Sequence, residues 1–373
     1  MNNKRPANND RLVSIIINNY NYGRFLRDAI DSVLQQTYTF IEVIVVDDGS
    51  TDNSREIIHR YRDQIIPIFK KNGGQASAFN TGFAQSRGEV VIFLDSDDML
   101  LPGVVARVVE VFDAHSNLAK VMYRMEVIDT MGTRTNLIQP PAHQPMRSGD
   151  LRRHVLTFPF DMTWMATSGN AFAARVLQQI FPIPEQVYGR VGADWYISLL
   201  TPLFGPVIFL NDIGALYRIH GSNNYKLSTS TINLEIVRQA IRYSSYTIPY
   251  IKKFADQLSL DGSPKKAEDL LSVSLLSKRM ISLKLEPEQH PIKEDTMWRI
   301  FWLGVKATFR RFDVSWPMKI LYLLWFVAML FSPRRLARWL AELFAFPSRR
   351  RKLNRLIAML HLREKAISRA RAT

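Results

Sequence analysis

Hydrophobic and polar positions alternate with two different periods along the first 125 residues. Four short runs rich in β-branched residues predict buried strands, at Val13–Ile17, Ile41–Val46, Ile65–Phe69 and Val90–Leu94. Helical spacing between and after these runs predicts helices at Phe25–Leu34, Ser54–Arg62, Ala76–Gln85 and Val104–Phe112. Strands that alternate with helices predict an α/β fold, with a mostly parallel sheet covered by helices on both faces.

The rest of the chain has a different pattern. From about Val121 to Tyr225, loops rich in Pro, Gly and Ser surround short strands such as Val207–Leu210. The stretch Thr231–Leu285 predicts two helices, divided by the turn sequence Asp261-Gly262-Ser263-Pro264. The α/β part is therefore followed by a helical region.

The C-terminal segment joins apolar runs to positive charge. From Trp298 to Thr373 there are 17 Lys and Arg residues against 3 acidic ones, so this segment holds nearly all of the chain's net charge of +15. Its longest uncharged apolar run, Ile320–Phe331, would span only about 18 Å as a helix, against a hydrocarbon core of about 30 Å. A membrane-crossing helix is not expected there.

Two flanking patterns are amphipathic. The first places apolar residues on one helical face, at Leu336, Trp339, Leu340, Leu343 and Phe344, while Arg334, Arg335 and Arg338 occupy other positions. The second follows Arg349-Arg350-Arg351-Lys352 and has its apolar residues at Leu353, Leu356, Ile357 and Leu360. Such helices lie in the plane of an anionic membrane surface, so we expect that surface as a partner.

Composition excludes several classes of protein. The chain has no cysteine, which removes disulfide scaffolds, thiolate metal sites and cysteine nucleophiles. It has no G-x-x-x-x-G-K-[ST] or G-x-G-x-x-G sequence, so kinase, GTPase and dinucleotide-binding interpretations lose their main support. The polar residues Met1–Asp10 and the short apolar run after them do not resemble a signal peptide, and we expect the start of the chain to be cytosolic.

Polar side chains follow the predicted strands at one edge of the sheet, where ligands bind in such folds. Asn18-Asn19-Tyr20-Asn21 comes after the first strand, Asp47-Asp48-Gly49-Ser50 after the second and Asp95-Ser96-Asp97-Asp98 after the fourth. An Asp-x-Asp sequence at a strand end suits Mg²⁺ or Mn²⁺, which take one or two carboxylates together with substrate phosphates. Helix capping and turn formation explain part of this acidic content as well.

Three further positions are weaker candidates for function when they are judged by spacing alone. Gly73-Gly74 precedes the helix that carries Asn80, a place where backbone amides can approach phosphate. Asp194, in Gly192-Ala193-Asp194-Trp195, and His220 are single residues, which a helix cap or a polar core position would also explain.

Taken together, three segments resemble family 2 glycosyltransferases, nucleotide-sugar enzymes with the GT-A fold. They are Val13–Asn21, Glu42–Asp52 and Gly88–Asp98, and their order and spacing match the family. The resemblance implies a GT-A (Rossmann-like) catalytic domain at 12–230, between a polar tail at 1–11 and a helical extension at 231–297. The basic amphipathic region at 298–373 follows.

The resemblance also implies a role for each matching residue. Asn18, Tyr20, Asp47, Asp48 and Asn80 would bind the nucleotide sugar, and Asp95 would face the ribose or sugar. Asp97 would ligate a divalent metal (Mg or Mn), with Asp95 and His220 near it, and Asp194 would be the general base. Two departures are Ala193, where the family often has Glu, and Asn18, where it often has Pro.

The implied activity is inverting transfer from a nucleoside-diphosphate sugar to a glycan or lipid-linked acceptor, in cell-surface polysaccharide synthesis at the cytoplasmic side of a membrane. Two alternatives use the same features differently. A metal-independent glycoside hydrolase also needs paired carboxylates, and a nucleic-acid-binding protein would use the basic tail. The Trp, Leu and Phe content of that tail favours lipid over nucleic acid, while packing of its helices on the chain itself or on a partner stays open.

Overall fold

The structure, a computed structural model, describes residues 11–141, 144, 146–221 and 231–345. The strands are β1 (Val13–Asn19), β2 (Ile41–Asp47), β3 (Ile66–Phe69), β4 (Val90–Asp95), β5 (Met99–Leu100), β6 (Lys120–Ile128), β7 (Arg134–Gln139), β8 (Asn170–Ala173) and β9 (Val207–Arg218). The helices are α1 (Gly23–Leu34), α2 (Ser54–Arg60), α3 (Gln75–Gln85), α4 (Val104–Ala114), α5 (Arg152–Val155), α6 (Ala174–Ile180), α7 (Glu185–Tyr188), α8 (Ala193–Leu200), α9 (Leu234–Gln257), α10 (Val273–Leu285), α11 (Met297–Arg310), α12 (Trp316–Phe331) and α13 (Arg334–Ala345).

The chain divides into two compact units. The first consists of Met1–Arg152 and Thr163–Asn224, and the second of Arg153–Met162 and Tyr225–Thr373. The sheet lies in the first unit, and helices α9 to α13 lie in the second.

The sheet of the first unit has the strand order β3-β2-β1-β4-β8-β6-β9-β5, and β7 pairs with β6. Strands β1 to β4 are parallel to one another, as the alternation of strands and helices predicts. Antiparallel pairing of β8 with β4 and β6 continues the sheet into its second half. The predicted α/β class and the predicted N-terminal strands are confirmed, with bounds that differ by one or two residues.

Burial on both faces explains the unbroken apolar runs of the central strands. Ile15, Ile16 and Ile17 on β1 are all fully buried, so both faces of the strand are covered along its apolar run. Helix α3 approaches one face closely at Gly82, where a Cβ atom would lie 2.4 Å from Ile16 Cγ2. Register then fixes the strand ends, because Asn18 pairs with Asp95 and Asn19 with Asp47.

Strand β9 is longer than the sequence predicts. The apolar signal covers Val207–Leu210, whereas the strand continues to Arg218. Beyond Leu210 it pairs with β6 through a shifted register, and its polar residues Asn211 and Asp212 are exposed. The extension carries the chain to Arg218 and His220.

The second unit is helical, as predicted. Asn233 caps α9 by accepting N–H bonds from Glu235 and Ile236. The Asp161 carboxylate accepts the N–H groups of Val273 and Ser274 at the start of α10, at 3.0 and 2.6 Å.

None of the helices in the described part of the chain combines the length with the apolar character that a membrane crossing requires. The predicted second amphipathic pattern, at Leu353–Leu360, and the cluster Arg349–Lys352 lie outside the described residues.

Candidate active site

The ends of β1 and β4 are joined by polar side chains. Asn18 donates from Nδ2 to Asp95 Oδ1 at 3.0 Å. Its own Oδ1 is buried without a hydrogen-bond partner among the described residues. A buried amide oxygen without a partner is costly, so this atom is suited to a donor on a ligand.

Asp95 has an unusual protonation equilibrium. Burial, followed by the charge of Asp97, raises the pKa of Asp95 to about 7. The charge of Asp194 contributes in the same direction, which places the three carboxylates within electrostatic reach of one another.

Asp97 and His220 are in direct contact. His220 Nε2 lies 2.9 Å from Asp97 Oδ2, and the His220 side chain is buried. The rings of Tyr22 and Phe25 contact the imidazole, with centroids 5.2 and 4.9 Å away. These aromatic contacts fix the orientation of the imidazole.

Arg218 and Asp98 hold the backbone that carries this pair. The Arg218 guanidinium donates to the Asp97 carbonyl oxygen at 3.0 Å and to Asp28 Oδ2 at 2.7 Å. Asp98 accepts the Arg218 N–H at 3.0 Å and the Ser168 hydroxyl at 2.7 Å. Sequence reasoning missed both supporting roles, although Tyr217-Arg218-Ile219-His220 contains the first of them.

The carboxylates at the end of β2 are occupied by protein groups. Asp47 accepts hydrogen bonds from Asn19 and Arg55. Asp48 accepts them from Lys70 at 2.6 Å and from the N–H groups of Gly73 and Gly74 at 3.0 and 2.7 Å. Asp48 therefore orders the glycine loop that leads into α3.

Two further predicted binding residues are Tyr20 and Asn80. Tyr20 is exposed in the turn after β1. The Asn80 amide bonds to the backbone of Ile183 and to Glu185, which fastens α3 to the segment before α7. The structure gives Asn80 contacts of its own rather than contacts with Asp95 or Asp97.

Asp194 stands in the first turn of α8. The preceding residue pair is fixed by Gln75, whose Oε1 accepts the N–H groups of Gly192 and Ala193 at 3.1 and 3.3 Å. Asp194 Oδ1 accepts the Trp195 N–H at 2.8 Å, which orients the carboxylate. The side chain borders a small pocket lined by Phe79, Phe93, Thr167, Asn170, Phe172, Ile197 and Ser198. Burial raises the pKa of Asp194 above that of an ordinary carboxyl.

Lys120 is a charged neighbour that the sequence did not reveal. It is fully buried at the start of β6, and its Nζ has no hydrogen-bond partner among the described residues. The ammonium lies 4.5 Å from the centroid of the Trp164 ring. Burial lowers the pKa of Lys120 to about 7, and the charge of Asp194 acts in the opposite direction. No motif marks a lysine at this position.

The donors fit a hard divalent cation that takes its other ligands from substrate. Within the described residues, no group of three or more His, Cys, Asp or Glu side chains is arranged to hold a metal ion by itself. Mg²⁺ is typically held by one or two carboxylates and by phosphate oxygens. Adjacent ligands about 2.1 Å from an octahedral ion are about 3 Å apart. The 2.9 Å between Asp97 Oδ2 and His220 Nε2 is a hydrogen-bond distance, and it is also short enough for both atoms to reach one ion.

Sequence comparison finds glycosyltransferases among the proteins that are similar to this chain. The family model described as glycosyl transferase family 2 matches residues 14–172. An uncharacterized glycosyltransferase of Nostoc sp. is 43% identical over 222 residues, which are 58% of this chain and 68% of that protein. The chondroitin synthase of Escherichia coli is 32% identical over 232 residues, which are 61% of this chain and 31% of that enzyme.

A solved structure shares the fold. The crystal structure of TarS 1-349 from S. aureus has a TM-score of 0.51 and 14% sequence identity, and the match covers 89% of this chain and 91% of that one. At this identity the likeness concerns the fold alone.

Proposed function

This chain belongs to glycosyltransferase family 2, and from that premise we propose that it moves a sugar from a nucleoside-diphosphate sugar to a hydroxyl group of a glycan or lipid-linked acceptor, with inversion at the anomeric carbon. The observation that carries the proposal is the meeting of Asp95, Asp97 and His220 with Asp194 in electrostatic reach. We assign the reaction to a catalytic domain at 12–230.

The donor site in this proposal lies along the ends of β1, β2 and β4. Asn18 offers a buried amide oxygen, and Asp95 lies beside it to face the ribose or sugar. Asp47, Asp48, Tyr20 and Asn80 complete the proposed nucleotide contacts. Of these, Asp47 and Asp48 act partly through the loops that they hold, since their carboxylates bind Arg55 and Lys70.

We propose that Asp97 and His220, with Asp95 near them, hold a divalent cation (Mg or Mn). Such a cation, when bound, would offset the negative charge that develops on the departing nucleoside diphosphate. Arg218 serves this site by holding the Asp97 backbone in place.

Asp194 is the proposed general base. A carboxylate with a raised pKa is a stronger base than an ordinary one, and burial provides that increase. Asp194 takes the proton of the acceptor hydroxyl while the acceptor oxygen forms its bond to the anomeric carbon. The bond to the diphosphate oxygen breaks on the opposite face, so a single displacement inverts the configuration and no covalent intermediate is formed.

The proposed location is the cytoplasmic side of a membrane, where the chain is peripheral and takes part in cell-surface polysaccharide synthesis. The support is the cationic segment 298–373, with its apolar residues at helical spacing. An acceptor anchored in lipid would be presented at the same surface.

The test is sugar transfer from a panel of nucleotide sugars, with Mn²⁺ and with chelator, by the wild type and two isosteric variants. Asp194→Asn removes the base, and we expect turnover to fall by about 10²–10⁴-fold while donor binding is retained. Asp97→Asn is expected to lose both transfer and donor binding. Asp150→Asn, which changes an exposed carboxylate bound to Arg152, is the matched control and should behave as wild type. Full turnover by Asp194→Asn would exclude the assigned role.

A further inference from the structure

Helices α11 and α12 pack against each other through an unusual choice of side chains. The buried residues of α11 include Gly304, Ala307 and Thr308, which are small. A Cβ atom at Gly304 would lie 2.7 Å from the ring of Phe326, which is itself fully buried. The contact between the two helices is therefore close, and the large side chains buried on them are Ile300 of α11 and Phe326 and Met329 of α12.

Five large apolar residues of α12 lie on its solvent side. Trp316, Ile320, Leu324, Val327 and Phe331 are all exposed. Their spacing of three or four residues puts them on one face of the helix. Trp316 is 64% exposed and Phe331 is 70% exposed. A helix on the surface of a soluble domain normally shows polar residues on this face.

Helix α11 adds a second exposed stripe beside the first. Its members are Trp298, Trp302 and Phe309. The rings of Trp298 and Phe331 lie 6.1 Å apart, and those of Phe309 and Trp316 lie 6.0 Å apart. The helices are thus antiparallel, with their stripes side by side. We call this combined surface the hairpin face.

Within residues 298–345 the exposed charged side chains have one sign, and two of them, Arg299 and Lys306, pair with Glu268 and Asp269 outside this stretch. Between residues 298 and 345, a stretch described without gaps, the acidic residues are Glu342, which is buried, and Asp313, which is half-buried with a side chain that is 6% exposed. Asp313 is also paired with Arg311. The exposed charged side chains of the same stretch are cations, namely Arg299, Lys306, Arg334, Arg335 and Arg338.

We propose that the hairpin face lies flat in the interfacial layer of a bilayer that contains anionic lipid. Interfacial helices place Trp, Phe and Leu about 5–10 Å deep and keep cations among the headgroups. Helix α12, with 16 residues, is about 24 Å long, which suits lying in the interface rather than crossing it.

Other occupants fit the face less well. A second copy of the chain would bring two cationic surfaces together, and a nucleic acid would leave the aromatic side chains in water. The inference deepens the proposed membrane-peripheral location of the enzyme. It rests on the proposed function only in placing the acceptor at the same surface.

The test is flotation of the full chain with vesicles of phosphatidylcholine alone and of phosphatidylcholine mixed in equal parts with phosphatidylglycerol. We expect the wild type to float mainly with the anionic vesicles. The variant Trp302→Ser/Leu324→Ser/Phe331→Ser keeps every charge and should lose binding by about tenfold or more. The control Met131→Ser/Leu137→Ser removes exposed apolar residues from the other unit and should float as the wild type does.

A second arm tests the charges. Arg334→Gln/Arg335→Gln/Arg338→Gln should weaken flotation with anionic vesicles and remove much of its dependence on salt, because screened attraction to the headgroups is lost. The proposal is overturned if the triple apolar variant floats as the wild type does, or if the wild type does not float. It is also overturned if the wild type sediments as a dimer that the apolar variant dissociates.

Sugar transfer in vesicle-free solution separates this inference from the proposed function. The triple apolar variant should keep wild-type turnover of a soluble acceptor. Turnover without flotation would reject the hairpin face as a lipid surface while the enzyme assignment stands. Flotation without turnover in the wild type would reject the enzyme assignment while the surface stands.

Discussion

At the scale of single residues, Lys120 and Asp194 form the most informative pair in the first unit. A fully buried ammonium with no hydrogen-bond partner in the described part of the chain lowers stability. Its charge acts on Asp194 by lowering the pKa of that carboxyl, against the burial that raises it. Residues that reduce stability in this way are characteristic of functional sites.

The first prediction concerns the pH profile of transfer. A base works when it is ionised, so activity should fall as the pH drops through the raised pKa of Asp194. Asp95 and Tyr217 also face this carboxyl, but Lys120 is the cation among its neighbours. Lys120→Met removes that cation, raises the pKa of Asp194 further and should move the acidic limb of kcat to higher pH, with about a tenfold loss on that limb per pH unit moved.

Lys120→Arg is the control for this profile, since it keeps the positive charge. It should leave the acidic limb near its wild-type position. A limb that does not move in Lys120→Met, or that moves to lower pH, would show that the lysine does not act on the base.

The second prediction concerns stability. The pKa of Lys120 is depressed in the folded state, so the unfolded chain binds more protons between about pH 7 and the ordinary value of 10.5. Stability should therefore rise with pH across that window, and the full penalty is present below it. Lys120→Met removes the penalty and should stabilise the protein at pH 7 by on the order of 1–3 kcal/mol. Denaturant titration at pH 7 and pH 10 measures both effects, and a destabilised variant would contradict the account.

At the scale of elements, the glycine loop before α3 contacts both the end of β2, through Asp48, and Gly189 at the end of α7. Gly74 has a φ of +83°, and a Cβ atom there would lie 1.9 Å from the carbonyl oxygen of Gly189. The Gly74 N–H is also one of the donors to Asp48. The loop therefore depends on glycine for its conformation and for its close approach to neighbouring backbone.

The third prediction follows from this contact. Gly74→Ala should destabilise the protein by more than backbone strain alone, which is about 1–3 kcal/mol for a residue other than Gly at the φ of +83° and ψ of −178° found here. Gly149→Ala is the matched control, because Gly149 has a φ of +100° and open space around it. Denaturant titration should show a larger loss for Gly74→Ala, together with weaker donor binding. Equal losses in the two variants would mean that the contact with Gly189 is unimportant.

The sequence predicts a strand or helix correctly where the pattern of apolar residues within that segment is enough to determine it. Strands β1, β2 and β4 are buried on both faces, so their apolar runs and the polar residues at their ends are visible in the chain itself. The second half of β9 cannot be predicted from the sequence in this way. Its exposed polar residues, such as Asn211, belong to a strand because the strand pairs with β6. The contact of Asp97 with His220 matches its predicted grouping, whereas the contacts of Asn80 and the burial of Lys120 depend on segments distant in sequence.

Amphipathic spacing alone gives an incomplete description of the C-terminal helices. In α13, Leu336 and Trp339 are exposed as expected, but Leu340, Leu343 and Phe344 are half-buried, and the Phe344 ring packs on Trp325 at 4.8 Å. The apolar run of α12 is uniform in sequence, yet one side of it packs and the other faces solvent. Which side packs is decided by the small residues of α11, and that pairing is a tertiary property.

At the scale of the whole molecule, charge and chemistry are distributed differently. The proposed chemistry lies in the first unit, whereas the segment from Trp298 to Thr373 carries a net charge of +14. This distribution suits an enzyme that works on water-soluble donors and on an acceptor held at an anionic surface. The proposed function depends most on one claim, that the carboxylates of the first unit bind a diphosphate through a divalent cation.

The most direct test of that claim is the melting temperature of the wild type, Asp97→Asn and Asp194→Asn with a panel of nucleoside diphosphates, each with Mn²⁺ and with chelator. A ligand at about 100 times its Kd adds about 2.7 kcal/mol of stability, enough for a shift of a few degrees. We predict that at least one nucleoside diphosphate raises the melting temperature of the wild type and of Asp194→Asn only when Mn²⁺ is present, and that Asp97→Asn shows no rise. A rise that persists in chelator, or that Asp97→Asn retains in full, would contradict the account.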